Sequence, residues 1–445
     1  MLYKFHTNIF LVGLLTIGFI ASMVMEKVMC LMTFAPLLAF ITQMSLILYF
    51  SRDTDSDYSG KTLFTVVFSY TFLLGIFFIL VSIYYDDDTF VFNKADAMFY
   101  YTEAMKVKDL GLVGVMEYIT TKYKFDDWGA LVFDSVMFYI IPSKLFVNFI
   151  YTILGSISSV YIYRIGRNFM PDIYAFLAAL AYSTSSYVVY LNCSFLKESL
   201  FSFLVVSVIY HQYNAIYKHS NQSLIGVGLF IVLIFFFRPA VAAFIASSIF
   251  VYYGITLKRN AISIFLYLAA LGVIALSMKS IIEIFNKNTA GGDMDTMIGE
   301  TNNSSYSGGF NYFVSMFGAF FGPFPTIFSK VTGPTYLEFL AAGLVYKLYL
   351  IFPFWYGVYL VFRNKVVEMF PLTIFVVMEL LLTGMVMASL ELRKVILHVP
   401  FMFLLAFYGM YKGMIPVNMN RFTNAIAYVL VIGIMFLWNV IKVKD

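Results

Sequence analysis

The sequence predicts an all-α integral membrane protein, a multi-span helical bundle of about 13 transmembrane helices with further helices lying on its outer face. Three observations predict it. Of 445 residues, 61% are hydrophobic and only 12% are charged, where a soluble domain carries about a quarter charged residues. Mean hydropathy is +0.84. The apolar residues form unbroken runs of about twenty rather than an alternating pattern, which selects helices over a membrane barrel. Lipid offers the backbone no partners, so each span must satisfy its own hydrogen bonds.

Taken in order, candidate spans fall at 8–25, 28–50, 62–84, 145–163, 172–191, 199–216, 223–237, 240–256, 261–282, 335–361, 368–388, 395–412 and 422–441. Lys4 precedes the first, and no small-residue cleavage site follows it, so it reads as an uncleaved helix. The chain divides into three N-terminal spans (1–84), an outer loop with interfacial helices (85–144), a core group of spans (145–282), a flexible outer loop with a re-entrant element (283–334) and C-terminal spans (335–445).

Short-loop cations orient these spans. With the N-terminus cytoplasmic, the inner loops hold Arg52, Lys61, Arg164, Arg167, Lys218, Lys258, Arg259, Arg363, Lys365, Lys412 and Arg421. The outer face then receives the acidic 85–144 loop, Lys197-Glu198, Arg238, the 283–334 loop, and Glu391 with Arg393 and Lys394. In 97–125 the apolar residues recur at helical spacing and are broken by Gly111 and Gly114, which suggests short surface helices. The apolar stretch 129–141 is too short to span and ends at Pro142, so it also reads as interfacial. Gly322-Pro323-Phe324-Pro325 breaks the late apolar run into a re-entrant element.

Several function classes drop out. The cations are dispersed over short loops and make no nucleic-acid patch. Two cysteines form no disulfide framework. No Gly-rich phosphate loop and no His/Cys metal spacing is present.

Where charge is this scarce, an ionisable residue at a span end is a functional candidate. Asp96 could act as general base toward an acceptor hydroxyl, or hold a divalent metal ion beside a phosphate. Residue chemistry alone does not select it over Asp86, Asp87 and Asp88, which also read as a solvated run closing the preceding span. Lys197 either snorkels or faces an anionic group. Glu198 either complements the helix start or supports the site. Arg238 has no acidic neighbour in sequence, and Pro239 behind it opens a helix whose N–H groups suit a phosphate. Arg393 and Lys394 offer a second cationic clamp, His398 reads as a polar helix-lining residue, and Glu379 is the one deep acid without an assignment. An outer acid, outer cations and a mobile loop together suit a lipid-linked phosphate sugar.

The residues Asp96-Ala97-Met98-Phe99-Tyr100-Tyr101-Thr102-Glu103-Ala104, Val147-Asn148, Tyr163-Arg164, Ser194-Phe195-Leu196-Lys197-Glu198 and Phe237-Arg238-Pro239 resemble the GT-C superfamily of membrane glycosyltransferases. The bacterial relatives of the protein O-mannosyltransferase and aminoarabinose-transferase type are the most similar. The resemblance implies a polyprenyl-phosphate-sugar donor, an outer-face site and inverting transfer. It implies Asp96 as the catalytic base or metal ligand and Arg238 and Arg393 as donor-phosphate ligands; Lys197 is a further candidate phosphate ligand, with Tyr100 and Glu198 in support. Two departures stand out: three spans rather than one precede the loop, and the family's Asp-Glu pair is Asp96-Ala97 here. Wzy-type repeat-unit polymerases of O-antigen or capsule share the aromatic richness and the outer arginines, and form the second reading. A flippase or transporter would require internal symmetry and midplane charges, and no repeat is apparent.

Overall fold

A computed structural model describes residues 30–51, 58–92, 96–123, 128–218, 220–256, 268–277, 320–322, 324–325, 336–385 and 396–413, with 429 and 433. Its described elements are helical: α1 Cys30–Ser51, α2 Gly60–Asp86, α3 Asp96–Val107, α4 Gly111–Lys122, α5 Trp128–Ile140, α6 Lys144–Gly166, α7 Asp172–Ser183, α8 Ser186–Cys193, α9 Lys197–Lys218, α10 Asn221–Phe235 and α11 Pro239–Thr256. They continue with α12 Leu268–Ser277, α13 Tyr336–Tyr349, α14 Ile351–Arg363, α15 Phe370–Met385 and α16 Val399–Tyr411.

By length and composition α2 and α6 can each cross a membrane, and the number rises to four if the bent pairs α7–α8 and α13–α14 are single broken spans. These are counts among the described residues, and they do not confirm the expected 13. The expected spans 8–25 and 422–441 lie almost wholly outside the described residues, and α10 and α11 are among the shorter apolar helices.

The two bends have local causes. Between α7 and α8 the axis turns by 52° at Ser183-Thr184-Ser185-Ser186. There Thr184 Oγ1 donates to Leu180 O and Ser185 Oγ to Ala181 O, each at 2.7 Å. Such hydroxyls compete with the helical ladder for its carbonyls. Gln43 Nε2 of α1 also donates to Ala181 O, at 2.8 Å, so a neighbouring helix supplies the donor that lipid lacks. Between α13 and α14 the 47° bend falls at Leu350, three residues before Pro353, whose ring cannot follow a helical carbonyl four residues back.

At its core α6 packs on α2, α7 and α9, α9 on α10, and α16 on α7 and α14. The 85–144 loop folds as α3, a single 3-10 turn, α4 and α5, with α5 packed against both of the others. One expectation changes here. Gly111 does break the helical run, taking φ +66, but Gly114 lies inside α4, where a Cβ would sit 2.9 Å from Leu110 Cβ. The acidic run behaves as a cap: Asp87 turns left-handed at φ 50 and its N–H donates to Ile83 O, closing α2.

Candidate active site

Because α9 and α10 form an antiparallel hairpin, the start of α9 and the end of α10 lie at the same end of the bundle. Lys197 and Glu198 open α9 there, and the Phe236–Arg238 turn leads into Pro239 of α11 beside them. Phe201, one turn along α9, stacks on Phe237 with centroids 5.6 Å apart. The Arg238 guanidinium lies 5.6 Å from the same Phe201 ring. Lys197 and Arg238 therefore lie at the same end of the bundle.

The wet loop is docked onto this end. Gly129 N of α5 donates to Phe236 O at 3.1 Å, and a Cβ at Gly129 would fall 2.3 Å from the Phe237 ring. Only glycine allows that approach. From α3, Tyr100 is buried beneath Lys197, whose ammonium sits 5.3 Å above its ring, a cation–π distance. Asp96 lies one helical turn before Tyr100, at the exposed first position of α3. Tyr100, Lys197, Glu198 and Arg238 thus share one rim, and Asp96 lies on the helix that supplies Tyr100. Arg393 and Lys394 lie outside the described residues.

Glu379, which had no assignment, is buried on α15 and within electrostatic reach of Arg238. His398 is buried at the start of α16, close enough to Lys347 to feel its charge. Lys347 itself donates to Gly322 O of the short apolar element before α13.

Under the rim lies a group that the sequence reading did not single out. Asp134 of α5 is 1% exposed, and Tyr151 of α6 donates to its Oδ1 at 2.7 Å. Burial pushes the Asp134 carboxyl up to about 7, against the opposing hydrogen bond from Tyr151. Glu198 and Tyr100 act electrostatically on Tyr151, which joins this pair to the rim. A lone acid in a short apolar stretch was the available signal. Phe195, two residues before Lys197, has φ 59, a genuine outlier for a bulky residue. Its ring stacks on Phe138 and tilts against Tyr151. This packing, at a fully buried position, holds the strained turn that aims Lys197 and Glu198 at the rim.

The loop has its own anchor. Glu103 accepts from Lys106 at 2.5 Å, Tyr118 at 2.9 Å, Lys122 at 3.0 Å and from Tyr123. Burial raises its pKa, yet these four donors together hold it at about 2. Among the described residues no group of three or more His, Cys, Asp or Glu comes together as a metal site.

Residues 133–282 match the family described as Dolichyl-phosphate-mannose-protein mannosyltransferase, and no curated protein matches the chain. That family is one of GT-C glycosyltransferases, membrane enzymes that use a lipid-linked sugar donor, and this stretch of the chain is similar to it. The matched stretch, about a third of the chain, begins inside α5 and takes in Asp134, Tyr151, Lys197, Glu198 and Arg238. Asp96 and Tyr100 lie ahead of the match and Arg393 beyond it.

Proposed function

We propose that the enzyme moves a glycosyl group from a polyprenyl-(di)phosphate donor to a hydroxyl of a glycan or lipid-linked acceptor. The reaction takes place on the outer face of the bacterial cytoplasmic membrane, in surface polysaccharide assembly. The supporting observation is the rim: Lys197 and Arg238, from the matched stretch, lie at one end of the bundle with Tyr100 of the wet loop under Lys197, and Asp96 is one helical turn before Tyr100. In this reading Asp96 takes the acceptor's hydroxyl proton while that oxygen attacks the anomeric carbon. The bond from that carbon to the phosphate oxygen breaks, and the lipid phosphate leaves with the electron pair. Its growing charge is met by Arg238 and Lys197, with Arg393 as a third ligand, and Tyr100 and Glu198 shape the rim around them. A divalent ion at Asp96 would add Lewis acidity, but no step here runs through one. The reading includes a thirteen-span topology with a cytoplasmic N-terminus.

The test uses Asp96→Asn and Arg238→Ala in a strain without the chromosomal copy. Each variant is expected to lose polymer at normal protein level, with transfer slowed by about 100-fold or more. Wild-type polymer in both variants would sink the site. A product of one repeat unit points to the polymerase reading, and a missing side-chain sugar to the single-sugar transferase. Cytoplasmic labelling of cysteines placed in 85–127 would overturn the topology.

A further inference from the structure

Behind the rim, between α6, the α7–α8 pair and α9, lies a small cavity walled by Ser158, Tyr182, Asn192, Glu198, Ser199 and Ser202. Its position and chemistry are unusual for the interior of an apolar bundle. Glu198 is 6% exposed, and its Oε2 has no hydrogen-bond partner. A buried carboxylate oxygen left in that state is costly, so an oxygen that stays unpaired asks for a donor from outside the chain.

The other wall groups define what that donor brings. Ser199 Oγ gives its proton to Asn192 Oδ1 at 2.7 Å, so it faces further partners only as an acceptor. Tyr182 OH and Ser202 Oγ share one hydrogen bond at 3.1 Å, which leaves one of their two protons to donate. The wall therefore offers acceptors at Glu198 and Ser199 and one donor at the Tyr182–Ser202 pair. A hydroxyl, which gives one proton and accepts another, matches this set. A phosphate would meet the Glu198 carboxylate with no cation in the wall, and an apolar group would bury that oxygen unpaired. Two more polar atoms without partners, Asn148 Oδ1 and Ser194 Oγ, lie buried around the same α8–α9 turn.

We propose that this cavity is a specificity subsite that takes the primary hydroxyl arm of the transferred sugar, its O–H donating to Glu198 Oε2. The space is too small for a whole ring, so the ring stays at the rim beside Lys197 and Tyr100 and only the arm enters. The proposal rests on the lipid-linked saccharide donor proposed above. It adds which part of the donor is read, and by what.

The experiment measures binding to the full-length protein in phospholipid nanodiscs with three probes: polyprenyl phosphate, a polyprenyl-phosphate hexose, and the same donor lacking the primary hydroxyl. The wild type is expected to bind all three, and the hexose about tenfold more tightly than its deoxy analogue. Glu198→Gln, which keeps the shape of the side chain, and Ser158→Val, which fills the cavity from α6, are each expected to reduce that ratio to within about twofold, and Ser158→Val should still bind polyprenyl phosphate. Equal binding of the two sugar donors by the wild type overturns the subsite and leaves the donor reading intact. So does a tenfold ratio that survives in Glu198→Gln, or tighter binding of an amino analogue than of the hydroxyl donor. No binding of polyprenyl phosphate by the wild type overturns the donor reading itself.

Discussion

Two carboxylates near one end of this enzyme are equally hidden and are held in opposite ways. Glu103, in the wet loop, is 6% exposed and takes four donors, from Lys106, Tyr118, Lys122 and Tyr123. Glu198, at the start of α9, is also 6% exposed and keeps one oxygen without a partner. Asp134 falls between them, with one donor from Tyr151. A carboxylate whose lone pairs are all engaged fixes geometry and has nothing left for a ligand. One whose lone pairs remain open is costly to keep, and its cost is offset when a substrate arrives. The loop anchor and the rim acid belong to these two kinds.

Three measurements would break or sharpen that contrast. Glu103→Ala is expected to have the largest effect on stability, because it strands two lysines and two tyrosines that converge on it. The α3–α4 loop should open by about 2–3 kcal/mol, read as faster proteolysis within 96–123 while the bundle stays folded. Unchanged protection would show that the loop is held elsewhere. Asp134→Leu comes next: it leaves the Tyr151 phenol buried without an acceptor, at a cost of about 1–3 kcal/mol in thermal unfolding. Asp134→Asn retains an acceptor and should stay near wild type.

The third measurement varies pH. The Glu103 carboxyl is lowered from its usual 4.5 to about 2, so its contribution is complete above pH 4.5 and is lost as pH falls through 2. Asp134 is raised from 3.8 to about 7. Its contribution is therefore complete below pH 3.8 and is lost as pH rises through 7. Above pH 7 the Asp134→Asn protein should equal or exceed the wild type in thermal stability, and at pH 4 the difference should vanish. A constant offset across that range would mean that Asp134 does not titrate in the folded enzyme.

Much of this was legible in the residues. Charge is so rare here that Lys197-Glu198 and Arg238-Pro239 stood out against the apolar background, and the structure brings them together around Phe201. Asp134 was passed over because its stretch read as a short interfacial run. Its partner Tyr151 lies across the Ile141–Ser143 turn, and no periodicity reports a contact between two helices. The bend after Ser183 could have been read from four consecutive hydroxyl residues, of which Thr184 and Ser185 take helical carbonyls. The cavity could not be foreseen, because Asn192, Ser199 and Ser202 look in sequence like ordinary small polar residues of a span.

The amide of Gln43 has a consequence for where this enzyme can be divided. It belongs to α1, far upstream of residues 133–282, yet it serves the carbonyl that the α7–α8 bend releases in their midst. Likeness to a family marks one boundary and cooperative folding marks another, and here the second is wider. A truncated chain starting at the matched stretch would lose a donor from its own interior, so α1 is part of that stretch's scaffold rather than an appendage to it.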